Sequence, residues 1–148
     1  WTLLTLGDEQ LGVLRSGAGG LDAAQWIGIG PAHIAQRYFQ HDPPRPQDIE
    51  RAIDLVEDEI MRLGQPEQTG TTLWSASPAL LPWSKVAGPH MNIETVEAWF
   101  QRLASASLGQ PGAMAGLPEG RTAAAVLLVL REFMHHRGHA DIRVVDGA

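Results

Sequence analysis

The strongest constraint on the fold is a segment near the C-terminal end that is apolar on nearly every side. It starts near Pro118, contains the uncharged run Ala123–Leu130, and reaches Gly138, a residue typical of helix ends. A helix without a polar face has to be covered on all sides. The sequence therefore predicts a central helix packed against a sheet. The run is also far shorter than the roughly 18 residues that a membrane-spanning helix needs, so we expect no membrane partner.

The N-terminal segment has the pattern of three short strands joined by tight turns. Thr2–Leu6 and Gln10–Arg15 flank the turn Gly7-Asp8-Glu9, and Leu21–Ile29 follows the glycine-rich turn Ser16–Gly20. Consecutive strands with such turns pair antiparallel. We expect a three-stranded meander at the start of the chain.

The hydrophobic period then changes from that of strands to that of helices. Pro31 and Pro46 each suit the first turn of a helix, and the second helix is expected to reach about Leu63. The later elements are a strand at Gly70–Ser77, a helix capped by Asn92, the central helix, and a strand at Asp141–Val145. The order βββ-α-β-α-β predicts an α/β fold, with a mixed five-stranded sheet and helices packed on it.

Composition narrows the function classes. The net charge is −6, and the 11 basic residues form no stripe that could follow a nucleic-acid backbone, so we expect no nucleic-acid partner. The chain has no cysteine, which excludes disulfides, thiolate catalysis and cysteine-based zinc sites. A reducing compartment fits this, and we expect a cytoplasmic location. The two ends suggest that 1–148 is a single domain excised from a longer protein.

Several short motifs occur in an order that resembles one protein family. They are Gly28-Ile29-Gly30-Pro31, Arg37-Tyr38-Phe39, His41-Asp42-Pro43-Pro44, Asp48-Ile49-Glu50, Gly116–Arg121 and Val144–Gly147. Their order resembles the second lobe of the exopolyphosphatase / guanosine-pentaphosphate phosphohydrolase (Ppx/GppA) family. The resemblance implies a ribonuclease H-like lobe of the actin-like ATPase superfamily.

A further motif resembles the second phosphate loop of that family. Gly70-Thr71-Thr72 matches its Gly-Thr pair. An alternative register puts the loop after the strand, at Ser75-Ala76-Ser77, where no glycine remains. Both registers stay open at the level of sequence.

The resemblance implies a phosphoanhydride hydrolase with two lobes, which holds polyphosphate or a guanosine polyphosphate in the cleft between them. Hydrolysis in such a cleft uses Mg²⁺, a carboxylate that activates water, and glycine amides around the phosphate oxygens. The missing N-terminal lobe is the implied partner, so we expect the isolated lobe to be inactive and to hold no cofactor. No catalytic residue is identified. The implied phosphate-binding residues are Gly7, Gly70, Thr71, Thr72 and Arg121, and the implied metal ligands are Asp8 and Glu9.

The chain departs from the family at its first turn. The family has an Asp followed by a Gly-Gly-Gly-Ser-Thr-Glu type turn, whereas this chain keeps only Gly7 and has Asp8 and Glu9 next to it. Each carboxylate within about 7 Å of a phosphate would repel it by roughly 1–2 kcal/mol, unless a metal intervened. The family's Arg-Ala-Asp also becomes Arg121-Thr122-Ala123. These changes favour an alternative function, a catalytically degenerate ligand-sensing or protein-interaction module of the same fold.

Simpler roles compete with several of these functions. Asp8 and Glu9 also suit an ordinary tight turn, and Arg121 could pair with a neighbouring acid. His135 and His139 are four residues apart, but Gly138 is expected to end the helix between them, and no carboxylate completes a metal site. Among the tryptophans, Trp26, Trp74, Trp83 and Trp99 are expected in the core. Because Trp83 lies in an expected loop, it could alternatively be exposed and mark the surface that meets the other lobe.

Overall fold

The computed structural model describes residues 1–17, 20–64, 66 and 72–146 of the chain. Its sheet has six strands, so the expected number of five is wrong. The strands are β1 (Thr2–Leu6), β2 (Leu11–Gly17), β3 (Gly20–Ile27), β4 (Leu73–Ser75), β5 (His90–Asn92) and β6 (Asp141–Val144). The additional strand, β5, has only three residues and directly precedes a helix, so it leaves no alternating pattern in the sequence.

The strands lie in the order β3-β2-β1-β4-β6-β5. The first three form the predicted antiparallel meander, with Leu6 opposite Leu11 and Leu11 opposite Ile27. Strand β4 runs parallel to both of its neighbours, β1 and β6, whereas β5 is antiparallel to β6. The sheet is therefore mixed, and the predicted α/β class is confirmed.

The described residues form five helices besides the sheet, and most of these helices begin at the residues that the sequence indicates. They are α1 (Pro31–Tyr38), α2 (Pro46–Met61), α3 (Leu81–Ala87), α4 (Ile93–Ser107) and α5 (Arg121–Arg137), with short 3₁₀ turns at Pro78–Leu80 and Pro111–Met114. Asn92 caps α4, since its side chain accepts a hydrogen bond from the amide of Thr95 at 2.8 Å. Gly138 ends α5 in the left-handed conformation, with φ 75°. None of the helices in the described part of the chain has the length and apolar character needed to cross a bilayer.

Helix α5 is the central helix. It contacts α1, α2 and α4, and all of its side chains from Ala124 to Leu130 are buried. Phe133 and Met134 continue the buried surface toward its C-terminal end. The prediction from its all-round apolar character is confirmed.

The two faces of the sheet differ in coverage. On one face the alternating side chains are buried, and these include Leu4, Leu6, Leu11, Val13, Ile27, Leu73 and Ile142. On the other face Leu3, Leu14 and Trp74 are half-buried, and Trp26 is 63% exposed. The expectation that Trp26 lies in the core is wrong, because it points to the open face. Its ring covers Gly12, where an added Cβ would lie 2.6 Å from a ring carbon.

Trp83 is in the core, as expected, but it lies in a helix and not in the expected loop. It lies in α3 and is 1% exposed, with its ring centroid 5.1 Å from that of Trp99. The loop was expected because Pro82 interrupts the pattern, but proline is compatible with the first turn of a helix. Trp83 is therefore a core residue and marks no exposed surface.

Candidate functional site

The turn between β1 and β2 carries Gly7 and the two acidic residues of interest. Its backbone is closed by a hydrogen bond from the amide of Gly7 to the carbonyl oxygen of Gln10, at 2.9 Å. Asp8 and Glu9 between them are exposed. The Gly7 amide is thus engaged within the turn, and the surface of the turn is acidic.

This turn also contacts the first turn of α1. The carbonyl oxygen of Asp8 accepts hydrogen bonds from the amides of Ala32 at 3.1 Å and His33 at 3.3 Å. The contact requires glycine at position 30, because a Cβ there would clash with the carbonyl oxygens of Gly7 and Asp8. Two amides at the positive end of the helix dipole, which could otherwise bind an anion, are therefore satisfied by the protein. An open depression beside the turn is lined by Asp8, Glu9, Gly28, His33 and Gln36.

The last residue of β4 and the residues that follow it lie at the same end of the strands as this turn. Ser77 Oγ accepts a hydrogen bond from the amide of Leu6 at 2.8 Å, and Ser75 Oγ donates to the carbonyl oxygen of Leu4 at 2.6 Å. The two hydroxyl oxygens are 2.9 Å apart, and both side chains are buried. The alternative register, Ser75-Ala76-Ser77, is therefore the one that lies beside Gly7. Its hydroxyl groups cross-link β1 to the end of β4.

Thr72 lies at the opposite end of these strands. Its carbonyl oxygen accepts a hydrogen bond from the amide of Thr2, at the start of β1, whereas Gly7 follows the end of that strand. A strand of five residues is about 16 Å long, so the structure does not bring Thr72 and Gly7 together. Gly70 and Thr71 lie outside the described residues.

Arg121 lies at the start of α5 and is exposed. Its Nη1 donates a hydrogen bond to the carbonyl oxygen of Phe39, at 3.1 Å, just after the C-terminal end of α1. The acidic turn contacts the other end of α1, and a helix of eight residues is about 12 Å long. Arg121 is thus about one helix length from Gly7. Its described partner is a carbonyl group, rather than the acidic neighbour considered above.

Metal binding by Asp8 and Glu9 stays a prediction. In the described residues, the one group of three or more possible ligand side chains with converging atoms is Glu57, Glu132 and His136. Mg²⁺ is commonly held by one or two carboxylates together with the phosphates of a substrate. Two exposed carboxylates alone are fewer ligands than Mg²⁺ needs, so these residues could hold Mg²⁺ only together with a phosphate ligand.

A second cluster of charged residues joins α2, α4 and α5. Arg131 Nε donates to Glu97 Oε2, and Arg131 Nη1 donates to Glu132 Oε2, both at 2.7 Å. The hydrogen bond from Arg131 lowers the pKa of Glu97. Burial raises the pKa of Glu132, which is 2% exposed, and a hydrogen bond with Glu57 adds to that increase.

Sequence reasoning missed this cluster. Glu132 and His136 are four residues apart on α5, which is a recognisable signal, but Glu57 comes from α2, far away in the sequence. The pair that the sequence offered does not converge, since His135 is exposed and His139 is buried against the ring of Phe133, with centroids 5.7 Å apart.

Comparison with known proteins identifies the fold. No protein-family model and no curated protein matches the sequence. A Ppx/GppA phosphatase from Aquifex aeolicus superposes with a TM-score of 0.76 at 11% identity, over 98% of this chain and 52% of its own. An exopolyphosphatase from Cytophaga hutchinsonii gives 0.71 at 14% identity, over 98% and 52%. An exopolyphosphatase-like protein gives 0.72 at 15% identity, over 98% and 55%.

The chain thus spans about half the length of the solved structures that it matches. At these identities the likeness concerns the fold. The resemblance that the sequence motifs indicated is confirmed at that level: this chain has the fold found in one half of a Ppx/GppA phosphatase.

Proposed function

We propose that this chain is one lobe of a two-lobed, phosphatase-like protein that acts on phosphoanhydrides. The proposed substrates are polyphosphate or a guanosine polyphosphate, the missing lobe completes the cleft, and the isolated lobe is inactive. The observation that carries the proposal is the fold likeness over 98% of the chain to half of proteins described as Ppx/GppA phosphatases. A cytoplasmic location is part of the proposal.

Two connections that lie at the same end of the strands support the proposed location of the phosphate cleft. The acidic turn follows β1, and the Ser75–Ser77 segment continues from the last residue of β4, so both lie at the carboxyl ends of parallel strands. Ligands of open α/β sheets bind outside the carboxyl ends of their strands. We propose that phosphate approaches there, with Gly7 at the centre. Participation of Thr72, Gly70 and Thr71 remains a prediction.

The negative charge at this end of the strands means that catalysis requires a bound cation. Asp8 and Glu9 repel a phosphate unless a cation lies between them, so the proposal includes Mg²⁺ held jointly by these carboxylates and the phosphates of the substrate. The bound ion would screen the charge of the phosphates. The protein's own part is to hold the two carboxylates at the turn through the contact of Asp8 with α1.

Phosphate release by the whole protein that carries this lobe tests the proposal. We expect Mg²⁺-dependent release from polyphosphate or guanosine pentaphosphate. We also expect at least a tenfold loss of turnover in Arg121→Ala, since a bound phosphate chain that extends from Gly7 along α1 would reach Arg121 at the other end of this helix. Arg62→Ala is the matched control, because Arg62 is an exposed arginine just after the end of α2 that pairs only with Glu59 among the described contacts. A flat baseline with polyphosphate, guanosine pentaphosphate and ATP would remove the enzymatic proposal.

A second candidate, the non-catalytic ligand-sensing or protein-interaction module, is favoured by the hydrogen bonding of the turn. The amides of Gly7, Ala32 and His33 are already engaged by backbone carbonyl groups. Equilibrium dialysis of the same protein with labelled polyphosphate separates the two candidates. Binding without turnover supports a sensor, and the absence of both leaves the interaction module.

A further inference from the structure

We propose that Glu57, Glu132 and His136 form a binding site for a divalent transition-metal ion of the zinc class. The three residues come from α2 and α5, and their ligand atoms all lie within 4.8 Å of one another. The site uses none of the residues assigned to the phosphate cleft. It therefore stands or fails independently of the proposed phosphoanhydride chemistry.

The distances in the cluster fit hydrogen bonds, and they also fit a shared metal ion. His136 Nε2 lies 3.2 Å from Glu57 Oε1 and 3.4 Å from Glu132 Oε1. A single ring N–H can point well at only one of two acceptors. In a tetrahedral site with ligand distances of about 2.0–2.2 Å, neighbouring ligand atoms are about 3.3–3.6 Å apart. One ion among the three atoms would satisfy all of them.

Two packed helices hold these ligands in place. Glu132 and His136 are four residues apart, so they lie on the same side of α5, and α2 packs against that helix. The Glu132 side chain is 2% exposed, whereas those of His136 and Glu57 are 33% and 37% exposed. The site is thus covered on the side of the core and open on the other side, where an ion can enter and water can supply the fourth ligand.

A neighbouring arginine orients the buried ligand. Arg131 Nη1 binds Glu132 Oε2 at 2.7 Å, and the same guanidinium binds Glu97 through Nε. This leaves Glu132 Oε1 directed toward His136. Outer hydrogen bonds of this kind fix the orientation of metal ligands and strengthen metal binding. The two cluster carboxylates and this one arginine leave a net negative charge, which attracts a cation.

The ligand types favour zinc over magnesium. An imidazole nitrogen with two carboxylate oxygens and one open position is a set that Zn²⁺ accepts, whereas Mg²⁺ prefers an octahedron of oxygen atoms. Carboxylate and imidazole ligands bind a metal only when they are deprotonated. Metal binding should therefore release protons and weaken as the pH falls.

Calorimetric titration of the purified, metal-free protein with ZnCl₂ tests the site. We expect one Zn²⁺ per chain, and at least tenfold weaker binding in His136→Ala and in Glu57→Gln. His135→Ala is the matched control, because this adjacent, exposed histidine lies outside the cluster, and its affinity should stay within about twofold of the original. Millimolar Mg²⁺ should not displace the zinc.

Thermal unfolding supplies a second measurement, since a ligand that binds only the folded state raises its melting temperature. Zinc should raise that temperature in the original protein and in His135→Ala, but not in His136→Ala. The proposal is overturned if the folded protein takes up no stoichiometric Zn²⁺. It is equally overturned if His135→Ala and His136→Ala weaken zinc binding to the same extent, because that would indicate adventitious binding by surface histidines. No turnover is measured, so inactivity toward phosphoanhydrides leaves this test unaffected.

Discussion

At the scale of single residues, Gly30 controls how closely the acidic turn approaches α1. Its φ of −138° is open to any residue, so the requirement for glycine is one of space. A methyl group there meets the carbonyl oxygens of Gly7 and Asp8, which belong to the backbone and cannot rotate away. We expect Gly30→Ala to lower the free energy of unfolding by about 1–3 kcal/mol, as measured by urea denaturation.

Gly28→Ala provides the control for this substitution. No atom lies within 4 Å of a Cβ added at position 28, which is only two residues away. The control should change the free energy of unfolding by less than about 0.5 kcal/mol. Equal effects of the two substitutions would contradict the steric role of Gly30.

Glu97 makes stability depend on pH with a definite sign. Its folded-state pKa is lowered, chiefly by the hydrogen bond from Arg131, below the ordinary value of 4.5. The ion pair therefore stabilises the fold above about pH 4.5, and this contribution is lost as the pH falls through the lowered pKa. The Glu97 side chain is 39% exposed, so we expect Glu97→Gln to cost about 1 kcal/mol or less at pH 7.

Urea denaturation at about pH 7 and about pH 3.5 measures this dependence. The difference in unfolding free energy between Glu97→Gln and the original should shrink at the lower pH. Glu50→Gln, an exposed acid on α2, should show no comparable change. A difference that stays constant, or that grows as the pH falls, would rule out the ion pair as its source.

At the scale of elements, two serines join β4 to β1 beyond their short backbone pairing. The buried hydroxyl of Ser77 is the partner of the Leu6 amide. Ser77→Ala leaves that amide without this partner, which typically costs about 1–3 kcal/mol. Ser84→Ala is the control, since its hydroxyl bonds only within its own helix, to Leu81. In thermal and urea denaturation, Ser77→Ala should be clearly less stable than Ser84→Ala. The reverse order of stability would refute the cross-link.

The elements that the sequence predicted well are those whose signals are local. Helix α5 follows from its own apolar surface, and α4 follows from the cap at Asn92. Strand β5 could not be predicted in the same way, because its three residues depend on pairing with the distant β6. The exposure of Trp26 has the same cause. Whether an apolar residue on a strand is buried depends on which face of the sheet the helices cover. The sequence of the strand alone does not show which face that is.

The candidate sites show this limit more sharply. Local motifs predicted a phosphate-binding role for Gly7 and two possible registers of a second phosphate loop, and that role stays a prediction. Only the pairing of β4 with β1 shows that Ser75–Ser77, rather than Thr72, lies beside Gly7. The histidines near the end of α5 drew attention to the correct segment. The converging residue is His136, because it faces Glu57 on α2, and this contact depends on how the two helices pack.

At the scale of the whole molecule, the local charge at the acidic turn should affect phosphate binding more than the net charge of −6 does. Asp8 and Glu9 are exposed at the end of the strands where we propose that phosphate binds. Removing both charges with Asp8→Asn and Glu9→Gln should therefore strengthen metal-free binding of tripolyphosphate. Each repulsion of roughly 1–2 kcal/mol corresponds to roughly a fivefold to thirtyfold gain in affinity at low salt.

A second double variant separates the local field from the total charge. Asp54→Asn with Asp58→Asn removes the same two charges from the exposed side of α2. Because salt screens exposed charges beyond about 10 Å at 0.1 M, this variant should bind tripolyphosphate no better than the original protein at that ionic strength. Equal gains from the two variants would mean that tripolyphosphate senses only net charge. If Mg²⁺ bridges the carboxylates and the phosphates, adding it should reverse the order, since the original protein then gains affinity while Asp8→Asn/Glu9→Gln loses the ligands that hold the ion.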